Sequence, residues 1–200
     1  MATISSVKIA NMALDYIGAD ATIESLTEAS PTAKICNRWY DWSRVQTLEA
    51  YNWNFARKRK ALAVLETNPY DDWAYRYEYP SDCIRAREIV NPLGPYSDVV
   101  PFSVVSTDDG QTTSILTDME EATLAYTFDV TDPSRFTTLF VDALAWRLAS
   151  RIAFSLTGKA DLAKFAMQSY QAHVAQAAGA NGTEGFDRGP REAAWVRGRE

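Results

Sequence analysis

The spacing of apolar residues changes period twice along the chain. Near the N-terminus Val7, Ala10, Leu14 and Ile17 recur every three or four positions, which marks one face of an α-helix. Ser5 or Ser6 can cap that helix and Gly18 can close it. After a short connection over 19–29, Ser30-Pro31 opens a second helix, with Ser as cap and Pro in the first turn, where its missing N–H costs nothing. It is predicted to run to about Tyr51. Ile35, Trp39, Trp42, Val45 and Leu48 give it a wide apolar stripe, which implies contacts on more than one side.

From Trp53 the period shortens. Trp53, Phe55, the basic run Arg57-Lys58-Arg59-Lys60 and the segment to Leu65 read as a strand, and Asn68-Pro69-Tyr70-Asp71-Asp72 is turn chemistry. Trp73, Tyr75, Tyr77 and Tyr79 then alternate with Ala74, Arg76 and Glu78, a period-two strand with an aromatic face. Pro80-Ser81-Asp82 breaks it and Cys83 to Val90 resumes. Val99 to Ser106 and Thr112 to Thr117 flank Asp108-Asp109-Gly110, a hairpin signal, and Glu121 to Phe128 alternates again. One antiparallel sheet is expected.

The long period returns at Thr131-Asp132-Pro133, predicted to start a third helix with Thr or Asp as cap. Its apolar residues, from Phe136 through Leu144 and Trp146 to Phe154, lie nearly all round, so it should be packed by neighbours on most sides. Gly158 closes it, and Lys159 to Ala178 forms a fourth, Ala-rich helix. Residues 179–200 are rich in Gly and show little periodicity, so a flexible arm is expected there, ending in Arg191, Trp195, Val196, Arg197 and Arg199. The fold class that follows is α+β: a four-helix bundle with an inserted antiparallel β-sheet and an extended C-terminal arm. The expected segments are 1–52 and 131–178 for the bundle, 53–130 for the insertion and 179–200 for the arm.

Composition narrows the function. At 200 residues, 46% hydrophobic and 23% charged, the chain is an ordinary globular one with enough length for a proper core. No apolar run reaches the ~18 residues a membrane span needs, and the first residues lack the basic-then-apolar pattern of a secretory signal. A soluble cytosolic chain with no membrane partner is expected, with Cys36 and Cys83 as free thiols. Twenty-six acids against 20 bases give −6, which disfavours tight nucleic-acid binding but suits a wall past which nucleic acid slides. Six Trp, 10 Tyr and 8 Phe point to subunit contacts as well as a core.

Catalytic patterns are sparse. The one histidine, His173, lies inside the last helix, and no Gly-x-Ser-x-Gly, Walker or Gly-x-Gly-x-x-Gly pattern occurs. One His and two distant Cys give no zinc spacing. Carboxylates held ~5–9 Å apart would serve glycoside hydrolysis. The pairs Asp71-Asp72, Asp108-Asp109 and Glu120-Glu121, however, fall in turns or at strand ends, where acids are simply solvated. Asn181-Gly182-Thr183 is a glycosylation sequon without meaning in a cytosolic chain. No enzymatic activity, cofactor or metal is therefore expected. The basic run puts Arg57 and Arg59 on one strand face and Lys58 and Lys60 on the other. It reads as a solvated edge that deters unwanted pairing, a salt-bridge belt to an acidic neighbour, or a phosphate contact.

Several blocks together resemble a known family. They are Ala13-Leu14-Asp15-Tyr16-Ile17-Gly18 followed by Ile23-Glu24-Ser25-Leu26-Thr27-Glu28, then Trp53-Asn54-Phe55-Ala56, then Tyr75-Arg76-Tyr77-Glu78-Tyr79-Pro80-Ser81-Asp82-Cys83-Ile84-Arg85. Their order resembles the tail tubular protein A family of short-tailed bacteriophages, the head-to-tail adaptor between portal and tail nozzle. Ala143-Leu144-Ala145-Trp146-Arg147-Leu148-Ala149, Leu156-Thr157-Gly158 and Tyr170 are similar to the helix pair of phage connectors generally.

The resemblance implies a virion protein of the neck, assembled in the bacterial cytoplasm. It implies a homo-oligomeric ring, usually of twelve, that binds the portal protein and the tail nozzle or tube and leaves a channel for genomic DNA. It also implies that the C-terminal arm docks on the portal, with Trp195 as anchor beside Val196 and Arg191, Arg197 and Arg199 bonding acids or carbonyls. Subunit interfaces would be heterologous. Trp39, Trp42, Arg57, Arg59, Trp73, Tyr75 and Tyr77 are the candidates. The alternatives are a tail-borne polysaccharide- or wall-degrading hydrolase and a neck or tail-completion protein of a long-tailed phage.

Overall fold

The computed structural model describes residues 4–65, 68, 70–94, 97–106, 110 and 112–184. Helix α1 (Ser6–Tyr16) starts where the Ser5 hydroxyl accepts from the Lys8 N–H at 3.2 Å, satisfying one of the first-turn donors. Gly18 follows it with φ +63°, a conformation that a side chain would strain. Helix α2 (Pro31–Ala50) is capped by Ser30, whose hydroxyl accepts from Ala33 N–H at 3.2 Å.

The buried face of α2 shares only Leu48 with the apolar stripe expected from the sequence. Ala33, Cys36, Tyr40, Ser43, Arg44, Thr47 and Leu48 face inward, Ile35, Trp39 and Val45 are half-buried, and Trp42 is 56% exposed. Most of these buried positions are small or medium-sized, and the Trp42 ring is left on the solvent side.

The start of the third helix also differs. Asp132 caps a separate 3-10 turn, Pro133–Arg135, by accepting from Ser134 N–H at 2.9 Å. Phe136 then extends into the core, and α3 (Thr138–Thr157) is capped by Thr137 through Phe140 N–H at 3.3 Å. Helix α3 packs against α1, α2 and α4 (Ala160–Thr183), so its all-round apolar pattern is that of a central helix. Gly158 ends it at φ +68°. Helix α4 runs five residues beyond Ala178 and takes in Gly179, Asn181 and Gly182, so the first part of the expected arm is helical.

The insertion begins with a 3-10 turn, Asn54–Ala56, rather than with strand. Trp53 and Phe55 on either side of its start belong to the helical core, where they meet Phe140 at ring separations of 5.2 and 5.0 Å. Six strands follow among the described residues: β1 (Arg57–Ala61), β2 (Tyr75–Glu78), β3 (Cys83–Ile89), β4 (Ser103–Ser106), β5 (Thr113–Thr117) and β6 (Thr123–Phe128). They form two three-stranded antiparallel sheets, β1-β6-β3 and β2-β5-β4, in place of the single sheet expected. The expected β4–β5 hairpin is present, with Ser106 opposite Thr113.

The sheets are stitched at both flanks by isolated bridges, Val64 to Tyr77 and Ile89 to Val100. Between them lies a second core of Tyr77, Ile89, Ile115, Ala122, Leu124 and Tyr126. A flat six-stranded sheet would leave these residues wet on one face, and folding it into two layers buries them.

Candidate functional site

Guanidinium groups join the bundle to the insertion. Two register shifts in β3, between Cys83 and Arg85 and between Ala86 and Glu88, re-aim the strand. Arg87 Nη2 there donates to the Glu49 and Tyr51 carbonyls at 3.0 and 2.7 Å, and Nε to Thr127 Oγ1 at 2.9 Å. It thus occupies the carbonyls that the end of α2 leaves without helical partners and adds a cation at the negative end of the helix dipole. Arg44, buried on α2, ties the same helix to the end of β6 through Asp129 and the Val130 carbonyl, the latter at 2.9 Å.

A second joint pins the end of α4. Asn54 N–H donates to Asn181 Oδ1 at 2.8 Å, Asn54 Nδ2 to the Asn181 carbonyl at 2.9 Å and to Glu184 Oε2 at 3.0 Å. The last turn of α4 is therefore fastened three residues ahead of β1, and residue 185 follows from that point. Arg191, Trp195, Val196, Arg197 and Arg199 lie outside the described residues.

The basic run occupies β1, an edge strand exposed at all five positions. Arg57 pairs with Glu88 at 2.5 Å and Lys58 with Asp82 at 2.6 Å, on neighbouring elements of the same chain. Tyr126 also donates to Asp82, at 2.8 Å. Lys58 above all, with Tyr126, holds the Asp82 carboxyl below the usual carboxylate range, against the opposing effect of its partial burial. Burial, then the Asp82 bond, pushes the Tyr126 phenol up. A groove of about 540 Å³ runs beside this edge, lined by Arg57, Arg59, Glu88, Asn91 and Asp98 among others.

The aromatic candidates separate. Tyr77 is 2% exposed, and its hydroxyl donates to the Met119 carbonyl at 2.8 Å. It belongs to the core between the two sheets. Tyr75 and Trp73 are half-buried. Trp39 lies under the Arg151 guanidinium at 5.5 Å, while Trp42, Phe154 and Phe165 are left exposed on the bundle. Of the aromatics, sequence reasoning did not single out Phe154 and Phe165 as surface residues.

His173 belongs to a polar cluster between helices. Its Nδ1 meets the Ser169 carbonyl at 2.7 Å, Nε2 lies 3.8 Å from Asp142, and Asp142 accepts from the Tyr16 hydroxyl. Trp146 stacks on Tyr16 at 4.1 Å. The contacts of this cluster fasten α1, α3 and α4 together.

The acid pairs are dispersed. Asp71, Asp72, Glu120 and Glu121 are exposed, and Asp108 and Asp109 lie outside the described residues. Glu88 and Asp98 share the groove, but Glu88 is engaged by Arg57. Among the described residues the carboxyls displaced in titration, Glu28, Asp82 and Asp132, move down. Among the described residues no group of three His, Cys, Asp or Glu is placed to hold a metal, and no helix is long and apolar enough to cross a membrane. No protein-family model matches the chain, and no curated protein matches it.

Arg87, Arg44, Asn54 and Asn181 had no signal in the sequence. Each acts on a backbone group tens of residues away, and no local spacing encodes that.

Proposed function

We propose that the chain is a structural head-to-tail adaptor of a short-tailed bacteriophage, assembling as a ring between portal and tail nozzle around the DNA channel. The observation that carries this reading is the pinned end of α4. The Asn54–Asn181 clasp and the Arg87 joint make the bundle and the insertion a firm base, and the remaining C-terminal residues start from a fixed place on it. Such an origin suits a segment that docks on a partner, because it confines the search and lowers the entropy lost on binding. Trp195, with its flanking arginines, is the anchor in this reading.

Ring contacts would join unlike patches of successive copies. The flanks of the bundle supply candidates in Trp39 with Arg151, exposed Trp42 and Phe154. The net charge of −6 suits a channel wall that does not retain DNA. The adaptor is non-enzymatic and needs no cofactor.

Cryo-electron microscopy of the chain mixed with its cognate portal ring tests this. The expected result is a ring of subunits with residues 185–200 laid on the portal and Trp195 in a pocket. A chain that stays unbound at micromolar concentrations of both proteins, or a ring contacting the portal without the C-terminal residues, would overturn it.

A further inference from the structure

The backbone of β1 is paired on one side only. Leu62 N–H donates to the Ala122 carbonyl at 2.9 Å, so the even-numbered residues of this stretch turn their main-chain groups toward β6. The odd-numbered ones face the opposite way. At positions 63 and 65 that side is occupied: the Ala63 carbonyl accepts from Glu78 at 2.9 Å, and Leu65 N–H donates to the Arg76 carbonyl at 2.8 Å. One step further along this register lies Pro80, which has no N–H to offer, and the chain turns away there. The N–H and C=O groups of Arg59 and Ala61 are consequently turned toward a side that no described strand occupies.

The charges on this edge are half-compensated. Arg57 and Lys58 have Glu88 and Asp82, whereas Arg59 and Lys60 form no ion pair among the described residues. We infer that the outer edge of β1 is a docking site for an extended acidic segment of a partner protein, which adds to the sheet as a further strand and pairs its carboxylates with Arg59 and Lys60. Main-chain bonds would supply affinity, and the charges register and choice of partner.

The occupant follows from charge. A second β1, Arg-Lys-Arg-Lys-Ala, is repelled by the first, which is how a basic edge avoids self-association. The chain's own residues 185–200 carry four arginines against three acids and complement the edge poorly. The other described edge strands, β2, β3 and β4, are Tyr-Arg-Tyr-Glu, Cys-Ile-Arg-Ala-Arg-Glu-Ile and Ser-Val-Val-Ser and offer no acidic run. The inference does not depend on the adaptor reading, because it rests on the pairing and charge of β1 alone.

The test uses the full chain and a fluorescent ten-residue peptide, Thr-Glu-Val-Glu-Val-Glu-Thr-Glu-Val-Glu, followed by anisotropy at low and physiological salt. Saturable binding is expected, at least tenfold weaker when alternate residues of the peptide are N-methylated. An equal loss is expected in an Arg59→Glu/Lys60→Glu variant whose circular dichroism and melting match the parent. Absence of binding would overturn the proposal. So would equal affinity for the N-methylated peptide, which would reduce the effect to charge alone. Binding that appears only after residues 185–200 are removed would overturn it too, by assigning the edge to the chain's own C-terminus.

Discussion

Asn54 and Asn181 stand 127 residues apart in sequence and exchange two hydrogen bonds, each using its side chain on the other's main chain. Asn181 Nδ2 also donates to the Asn52 carbonyl at 3.3 Å. The contact fastens the last turn of α4 to the chain as it enters the insertion. Asn181→Ala removes both side-chain bonds, and the expected cost is about 1–2 kcal/mol in urea unfolding. Hydrogen exchange should quicken at residues 178–184 and not in α3. Unchanged exchange there would show that helix packing alone holds this turn.

Arg87 supports the end of α2. Arg87→Met leaves carbonyls of Glu49 and Tyr51 without that donor and is expected to destabilise the protein by about 2–3 kcal/mol. Arg87→Lys should recover only part of this, because one ammonium cannot reproduce a planar fork bonding Thr127 and α2 together. Chemical denaturation of both variants decides it, and equal stability of Lys and Arg would refute the forked role.

The Asp82–Lys58 pair gives a signed pH dependence. The folded pKa of Asp82 lies below its unfolded value, near 3.9 for a free aspartate. Its contribution is therefore complete above that value and is lost as pH falls through the folded one. Both side chains are partly exposed, so solvent screening keeps the size below about 1 kcal/mol. Lys58→Met should raise the Asp82 titration midpoint, read by carboxyl NMR, and flatten the dependence of melting temperature on pH below pH ~4. A midpoint that does not move would remove Lys58 as the cause.

The thiols are predicted to be inert in the folded protein. Burial pushes Cys36 up to about 11 and also raises Cys83. Since the thiolate is the reactive form, labelling by a disulfide reagent at pH 8 should be far slower than for a free cysteine and should jump on unfolding. Cys36 is fully enclosed on α2, so its rate should follow global opening and slow further in stabilising salt. Rapid labelling of Cys36 in native buffer would show that the α2 face opens independently.

Capping and turn signals were legible because they act over a few residues. Ser5, Ser30 and Gly158 need only their own neighbours to stop or start a helix, and the alternation on either side of residues 107–111 needs only the pleat to make a hairpin. The edge character of Arg57 to Lys60 was one of the readings open in the sequence, and β1 does lie at an edge with two of its cations paired within the chain. What depended on distant partners was not legible. Helix periodicity states that α2 has an apolar stripe, but its packing in the assembled fold decided that Ala33, Cys36, Ser43 and Thr47 are buried while Trp42 is exposed. Alternation made Tyr77 a strand residue, and only the second sheet, folded over the first, made it core. Asp132-Pro133 reads as a helix start, yet burial of Phe136 interrupts the helix there. Local sequence thus determined the elements and many of their ends. Tertiary structure decided which faces are dry and which side chain satisfies each unpaired backbone group, because those energies belong to pairs of segments and not to either segment alone.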